Sequence, residues 1–346
     1  LLLNNAHIQT INNIDLKEVI QNIKKSVGSW ENHPNFNEVY INSHLTAYLA
    51  TFYKVKPPYY VQLKNLQTNK TYLDTIPEQK PIPEFELPFH FKFYPNESFA
   101  ILFYNSCIFS EQRKKDFNEI LAANFKKMRK LKIKYLFIDV SLNRGGASPN
   151  NEIIFKYLKS KKYVGTLSVK TNIHTVPKAI AELQERNRIY LEENKTNFIK
   201  IFRAKRLIKI LNKKIPSVLS TGIDVLEEKI PANHKGFNGK VFVIQSRKTY
   251  SAAVSFTQSV KQRQMGIIIG EEGGGPIRFA GDSKNYNLPN SKISFGCPTT
   301  YAWYTPEIPT KNGFLQPDIK YDVFGKTLEI EDYKKIIQLS KAMEKQ

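Results

Sequence analysis

Cysteine is almost absent from this sequence: Cys107 and Cys297 are the only two in 346 residues. They stand in apolar, strand-like surroundings, "LFYNSCIF" and "KISFGCPTT". No metal-ligand spacing is present, so both read as buried free thiols. Long apolar runs are missing too. None approaches the roughly 18 residues that a membrane-spanning helix needs. The opening "LLLNNAHIQTINNID" has three leucines but no basic start leading into an apolar core, so it does not read as a signal peptide. Acidic residues are scarce, 31 against 52 Lys and Arg, which leaves a net charge of +21. Such a balance suits nucleic acid, an anionic membrane surface or acidic partners. No nucleic-acid motif accompanies it, however, and the charge is spread along a chain rich in Lys, Asn and Ile, so composition accounts for it.

What is present is globular. Hydrophobic residues make up 41% and aromatics 12% of the chain, enough to bury a sizeable core. Residues 1–80 form a first unit. "HIQTINNIDLKEVIQNIKKSV" predicts a strand, an Asn-Asn turn and an amphipathic helix with Leu16, Val19, Ile20 and Ile23 on one face. "YYVQLKNLQTNKTYLDTI" alternates on both sides of a polar turn and predicts a hairpin. The proline-rich segment 81–89 is the linker.

Residues 90–346 carry an α/β order. Strand 98–109 precedes a helix from Ser110 to Leu131, with Phe117, Ile120, Leu121, Phe125 and Met128 on one face. A buried strand (133–141), a break at "LNRGGASPNN" and a helix over 151–160 follow. The section 161–234 interrupts this order and contains a basic amphipathic segment, 195–214, suited to a surface helix, a membrane-surface contact or a lid. The pattern resumes with strand "GKVFVIQS", helix 251–264, strand "MGIIIGE", further β-structure and a closing helix over 328–345.

Chemistry gathers in two loops after buried strands, where sites of α/β sheets form. One ends in Gly145 and Gly146, whose backbone N–H groups are free to face a ligand. The other ends in Ser251, at the start of a helix. By residue type alone Ser251 is either an N-cap or a nucleophile. In the second case the N–H of Ala252, with the helix dipole behind it, faces an oxyanion.

Five stretches in order resemble the C-terminal processing (tail-specific) serine protease family. They are "YLFIDVSLNRGG", "GKVFVIQSRKTYSAAVSF", "IIIGEEGGG", "LPNSKISF" and "GFLQPDIKY", covering about residues 90–325. The serine motif is similar to the Thr-Phe-Ser-Ala-Ala of the tricorn-core-like branch. "AHIQTINNIDLKEVI" resembles the later part of a PDZ-like module, with Asn13 in place of the usual Gly. The resemblance implies a ββα-superhelix core of the ClpP and crotonase kind, preceded by a partial PDZ-like module whose first strands lie upstream of Leu1. It implies a serine peptidase outside the cytoplasm, in the periplasm, cell envelope or secreted, acting on peptides or unfolded chain ends. It calls for no cofactor, no metal and no nucleic acid. Ser251 is then the acylating nucleophile, Gly145, Gly146 and Ala252 line the oxyanion hole, and Glu271 and Glu272 support the loop.

The family pattern breaks at the general base. Where one branch carries a lysine, this sequence has Pro276 in "GEEGGGPIRF". Lys248 adjoins the serine on its turn, and Lys261 lies ten residues along the helix, about 15 Å away. The tricorn-like branch takes a histidine from a helical region upstream of the PDZ-like module, which this chain does not reach. The usual Asp-x-Arg arginine is Ser141, and Glu307 is the nearest acid upstream of the Pro-Asp element. The other reading is therefore a non-catalytic relative that binds peptides or apolar ligands in the same clefts. Oligomeric state has no signature in the sequence.

Overall fold

The computed structural model describes residues 2–3, 6–26, 34–77, 88–171 and 222–344, with scattered helical positions between 185 and 209. Strands β1 (Leu2–Leu3), β2 (Ala6–Ile11) and β3 (Ile14–Asp15), helices α1 (Leu16–Ser26) and α2 (Pro34–Phe52), and strands β4 (Tyr59–Asn65) and β5 (Thr71–Ile76) make up the first unit. Asn12 and Asn13 take the predicted turn with φ of 51° and 64°, the left-handed region that asparagine tolerates best after glycine. Leu16, Val19 and Ile23 of α1 pack on Ala6, Ile11, Val61 and Leu63 of the sheet, giving this unit a core of its own. The linker segment lies almost wholly outside the described residues.

The larger unit follows the α/β order. Its elements are β6 (Phe89–Tyr94), β7 (Phe99–Tyr104), α3 (Glu111–Lys130), β8 (Tyr135–Asp139), α4 (Asn151–Phe155), β9 (Tyr163–Thr171), β10 (Ile223–Ile230), β11 (Lys240–Gln245), α5 (Ala252–Gln262) and β12 (Ile267–Gly270). Then come β13 (Phe279–Gly281), β14 (Lys284–Asn287), β15 (Ser294–Cys297), β16 (Thr300–Thr305), β17 (Thr310–Lys311), β18 (Phe314–Leu315), β19 (Ile319–Lys320) and α6 (Ile330–Met343). A six-stranded sheet runs in the order β19-β12-β11-β8-β7-β6. All its pairs are parallel except β6 with β7.

Side-chain alternation gives this sheet two buried faces. Ala100, Leu102, Leu136, Ile138, Val241 and Val243 point to one face, against α3, α4 and α5. Phe99, Ile101, Phe137, Phe242 and Ile244 point to the other, against Tyr333, Ile336 and Ile337 of α6.

Several expectations need correction. The strand predicted over 98–109 stops at Tyr104, because the N–H groups of Asn105 and Ser106 both turn to the carbonyl of Pro88. Ile120 is solvent-exposed on α3. The helix predicted over 151–160 ends at Phe155, and the chain then makes isolated bridges from Leu158 to Phe237 and from Ser160 to Asn233. The section 161–234 begins and ends in strands, β9 and β10, which join β16 and β13 in a four-stranded antiparallel sheet. Apart from scattered helical positions, the 195–214 segment lies outside the described residues. Among the described residues no helix is long and apolar enough to cross a membrane.

The two cysteines differ. Cys107 is buried, and burial pushes its thiol up to about 11. Cys297 was expected to be buried but is exposed, because the β14–β15 hairpin turns most of its side chains to solvent. A maleimide at pH 8 is therefore expected to modify Cys297 alone, and Cys107 only after denaturation, as read by peptide mass mapping.

Candidate active site

The parallel register brings three loops together. Asp139 on β8 pairs with Ile244 on β11, and Gln245 on β11 pairs with Gly270 on β12. The C-terminal ends of these strands are thus level, and loops 140–147, 246–251 and 271–278 leave from one edge.

Ser251 ends the second loop with φ 53° and ψ −122°, a backbone state that L-residues avoid. Holding it costs of order 1–3 kcal/mol, which the surroundings must supply. Ser251 occupies the N-cap position of α5, but its side chain makes no capping bond, so the cap alternative fails on geometry. The helix that follows is buried from Ala252 to Val260 and fixes the direction of the turn.

The glycine loop lies directly against it. A β-carbon on Gly145, which has φ of 96°, would stand 2.7 Å from Ser251 Cβ and 2.9 Å from the Ala252 nitrogen. Gly145→Ala is expected to reduce turnover by at least about a hundredfold, since the added methyl occupies the space of the serine side chain. Measuring kcat with a melting curve separates this from unfolding.

Asn143 holds the loop in shape. It is fully buried; its Oδ1 accepts the Gly145 N–H at 2.8 Å and its Nδ2 donates to the Tyr104 carbonyl at 2.8 Å. Its own carbonyl accepts the Tyr250 N–H at 3.0 Å, tying the two loops together. The expected oxyanion set changes in consequence. The Gly145 N–H is engaged by Asn143, whereas those of Gly146 and Ala252 have no acceptor among the described residues. Gly146 is exposed.

Helix α4 braces α5 at both ends. Asn151 Nδ2 donates to the Ala252 carbonyl at 2.9 Å, and its Oδ1 accepts the Tyr104 hydroxyl at 3.0 Å. Arg263, just after α5 and only 5% exposed, forms a bidentate pair with Glu152 at 2.8 and 3.1 Å. Phe155 stacks on Phe256 between these ties, with the Arg263 guanidinium over its ring. Asn150, also buried, donates its Nδ2 to the Cys107 carbonyl at 2.9 Å, and none of the three asparagines, Asn143, Asn150 or Asn151, stood out in the sequence. Three within nine residues after a buried strand were the available signal.

Ser141 stands where the family arginine was expected, and other bonds support the loop. The Ser141 N–H donates to Asp139 Oδ1 at 2.8 Å, its carbonyl accepts the Ser246 hydroxyl, and Thr249 Oγ1 donates to the Val140 carbonyl at 2.8 Å. Burial raises the Asp139 carboxyl above its ordinary range, partly offset by the Ser141 bonds. A raised acid favours the protonated fold, so this group's contribution is best at low pH and is lost as pH rises through the folded value. Asp139→Asn keeps an acceptor for Ser141 and is expected to raise the melting temperature more at pH 7 than at pH 4, as differential scanning at the two pH values will read.

Glu271 takes the Arg247 Nε at 2.7 Å and the N–H groups of Val323 and Phe324 at 3.1 and 2.7 Å. Glu272 follows it at the head of the glycine run. Gly275 then passes the turn, its β-carbon position 2.9 Å from the Tyr250 ring and 3.7 Å from the Ser251 nitrogen. Pro276 bridges to Phe314. The lysines near the turn, the acid upstream of the Pro-Asp element and the histidines are placed elsewhere. Lys248 Nζ lies over the Phe324 ring, Lys261 Nζ pairs with Asp318 at 2.8 Å, and Glu307 pairs with Arg278. His7, His44 and His234 are exposed, and His90 stacks on Phe103, with burial lowering its pKa. His33 and His174 lie outside the described residues. No His/Cys/Asp/Glu group among the described residues is arranged to hold a metal.

Comparison with known proteins agrees with this architecture. Residues 105–321, more than half of the chain, match the sequence profile of peptidase family S41. Among curated proteins none matches the sequence. The fold is similar to the crystal structure of mature CPAF, with TM-score 0.61 and 12% identity over 98% of this chain and 76% of that one. It is similar also to mature CPAF complexed with lactacystin, with TM-score 0.61 and 14% identity over 99% of this chain and 79% of that one. At such identity the likeness speaks to the mixed α/β fold.

Proposed function

Because this chain belongs to peptidase family S41 and is a serine peptidase acting on peptide or protein substrates, we propose that Ser251 is its nucleophile and that hydrolysis passes through an acyl-enzyme on that residue. The observation that carries this reading is the Ser251 turn: a strained serine with no capping bond, at the N-terminus of a buried helix, against a glycine loop with an unengaged N–H.

In this mechanism Ser251 Oγ loses its proton to a base and attacks the scissile carbonyl. The carbonyl oxygen gains the electron pair and lies between the N–H groups of Gly146 and Ala252, at the positive end of α5. Collapse of the tetrahedral species expels the amine, which takes the proton, and leaves an ester on Ser251. Water attacks the ester by the same route and frees the carboxylic acid. The buried bonds of Asn143 and Asn151 hold the donors in place before substrate arrives, so little reorganisation remains for the reaction itself.

The larger unit, 90–346, is read as a ββα-superhelix core, residues 1–80 as a PDZ-like module, 81–89 as the linker and 161–234 as a variable section. Extracytoplasmic action fits the family. A second reading is favoured by one observation: among the described residues no lysine or histidine makes a hydrogen bond to Ser251. A chain without a base binds peptides without cutting them.

Turnover of unstructured peptides by the full-length protein decides between the two. The peptidase reading expects cleavage that disappears when a fluorophosphonate modifies Ser251. Saturable peptide binding with no cleavage selects the binding relative.

A further inference from the structure

Although the basic charge is spread along the chain, one segment concentrates it. Residues 126–134, "KKMRKLKIK", hold six cations in nine positions and no acid. The helix dipole explains part of this, because Lys127, Arg129 and Lys130 sit in the last turn of α3, where cations meet the unpaired carbonyls. Lys132 and Lys134 lie beyond the helix.

These groups surround a cleft of about 570 Å³, to which Arg129, Lys132 and Lys134 contribute its charged residues, while Lys240 lines it but turns its ammonium to Ser340 and Glu344. Its apolar lining includes Met128, Ile133 and Phe237, all buried, and Tyr135. No carboxylate lines it. Among the described residues Arg129, Lys130, Lys132 and Lys134 form no ion pair, while Lys240 pairs with Glu344, a residue whose side chain is 62% exposed. The cleft opens where β8 and β11 begin, whereas Ser251 follows their far ends. Five residues of β8 at about 3.3 Å each separate the two places by roughly 15 Å.

Several cations held close together without acids repel one another, and an anion relieves that repulsion. Lysines offer point charges and Arg129 a planar fork, a combination suited to phosphate oxygens. A volume of this size, apolar within and charged around it, is that of a small-molecule site. We propose that this cleft is a second binding site, separate from the Ser251 loops, for a ligand carrying at least two phosphate charges. It stands whether or not Ser251 is a nucleophile.

The probe is inorganic pyrophosphate, titrated calorimetrically into the full chain. Saturable binding is expected, weakening as salt is raised. The double variant Lys132→Glu/Lys134→Glu, at two exposed positions, is expected to lose at least about tenfold in affinity. The control Lys56→Glu/Lys70→Glu, equal in charge change and placed in the first unit, is expected to lose less than about twofold, and Ser251→Ala to bind as the parent does. Absence of saturable binding overturns the proposal. So does equal weakening by the control pair, which would mean that net charge alone attracts the anion. Vesicles containing phosphatidylglycerol supply the second arm. If they displace bound pyrophosphate, the ligand is a lipid headgroup; if pyrophosphate stays bound, it is a soluble phosphate ester; both results uphold the site.

Discussion

Ser251→Ala is expected to lower kcat for peptide hydrolysis by on the order of a thousandfold or more while leaving the fold and KM nearly unchanged. The Ser251 side chain caps no helix, so its loss removes no capping bond. Alanine meets the same backbone strain as serine at φ 53°, so the turn is not relieved either. The N–H donors of Gly146 and Ala252 remain, and with them substrate affinity. A fall in kcat with constant KM and an unchanged melting temperature is therefore the signature. Unchanged turnover would remove Ser251 from the mechanism.

Asn143→Leu has the second largest expected effect, and it acts on fold and activity together. The change strips the Gly145 N–H and the Tyr104 carbonyl of their partner in a fully buried place. Each orphaned group costs about 1–3 kcal/mol, so the melting temperature falls on the order of 10 °C. The folded fraction also loses activity, because the Asn143 side chain fixes the glycine loop through the Gly145 N–H. Asn143→Asp keeps an acceptor for Gly145 but sets a buried carboxylate against the Tyr104 carbonyl. Burial raises the pKa of such a group, so this variant is expected to regain stability as pH falls and the acid becomes a donor. Thermal melts at pH 5 and pH 8 read the difference. A leucine variant as stable and active as the parent would show that the buried bonds do not hold the site.

The sequence carried the parts of this fold that rest on repetition. The buried runs of β8, β11 and β12 and the helical face Phe117, Leu121, Phe125 and Met128 follow from spacing alone. The Asn12–Asn13 turn and the position of Ser251 were legible for the same reason, since each is a break between two periodic segments. The antiparallel sheet of β9, β10 and β16 was not. Its strands are half-exposed, and β9 and β10 are separated by about fifty residues, so pairing is decided by tertiary contact. The roles of Asn143 and Asn151 were hidden too, because an asparagine in or just after a glycine-rich loop looks alike whether it faces water or is sealed beneath a loop. Gly145 and Gly146 could be named as a pair, but which N–H stays open depends on the Asn143 side chain. The exposure of Cys297 turned on which hairpin face the core would cover, and neither was covered.

The most direct test of the central claim is covalent. The full-length protein is treated with a fluorophosphonate, digested, and mapped by mass spectrometry. One adduct on the peptide containing Ser251, prevented by Ser251→Ala and slowed by competing peptide substrate, is the predicted result. Peptide turnover with the adduct on another residue, or with no adduct at all, would contradict it.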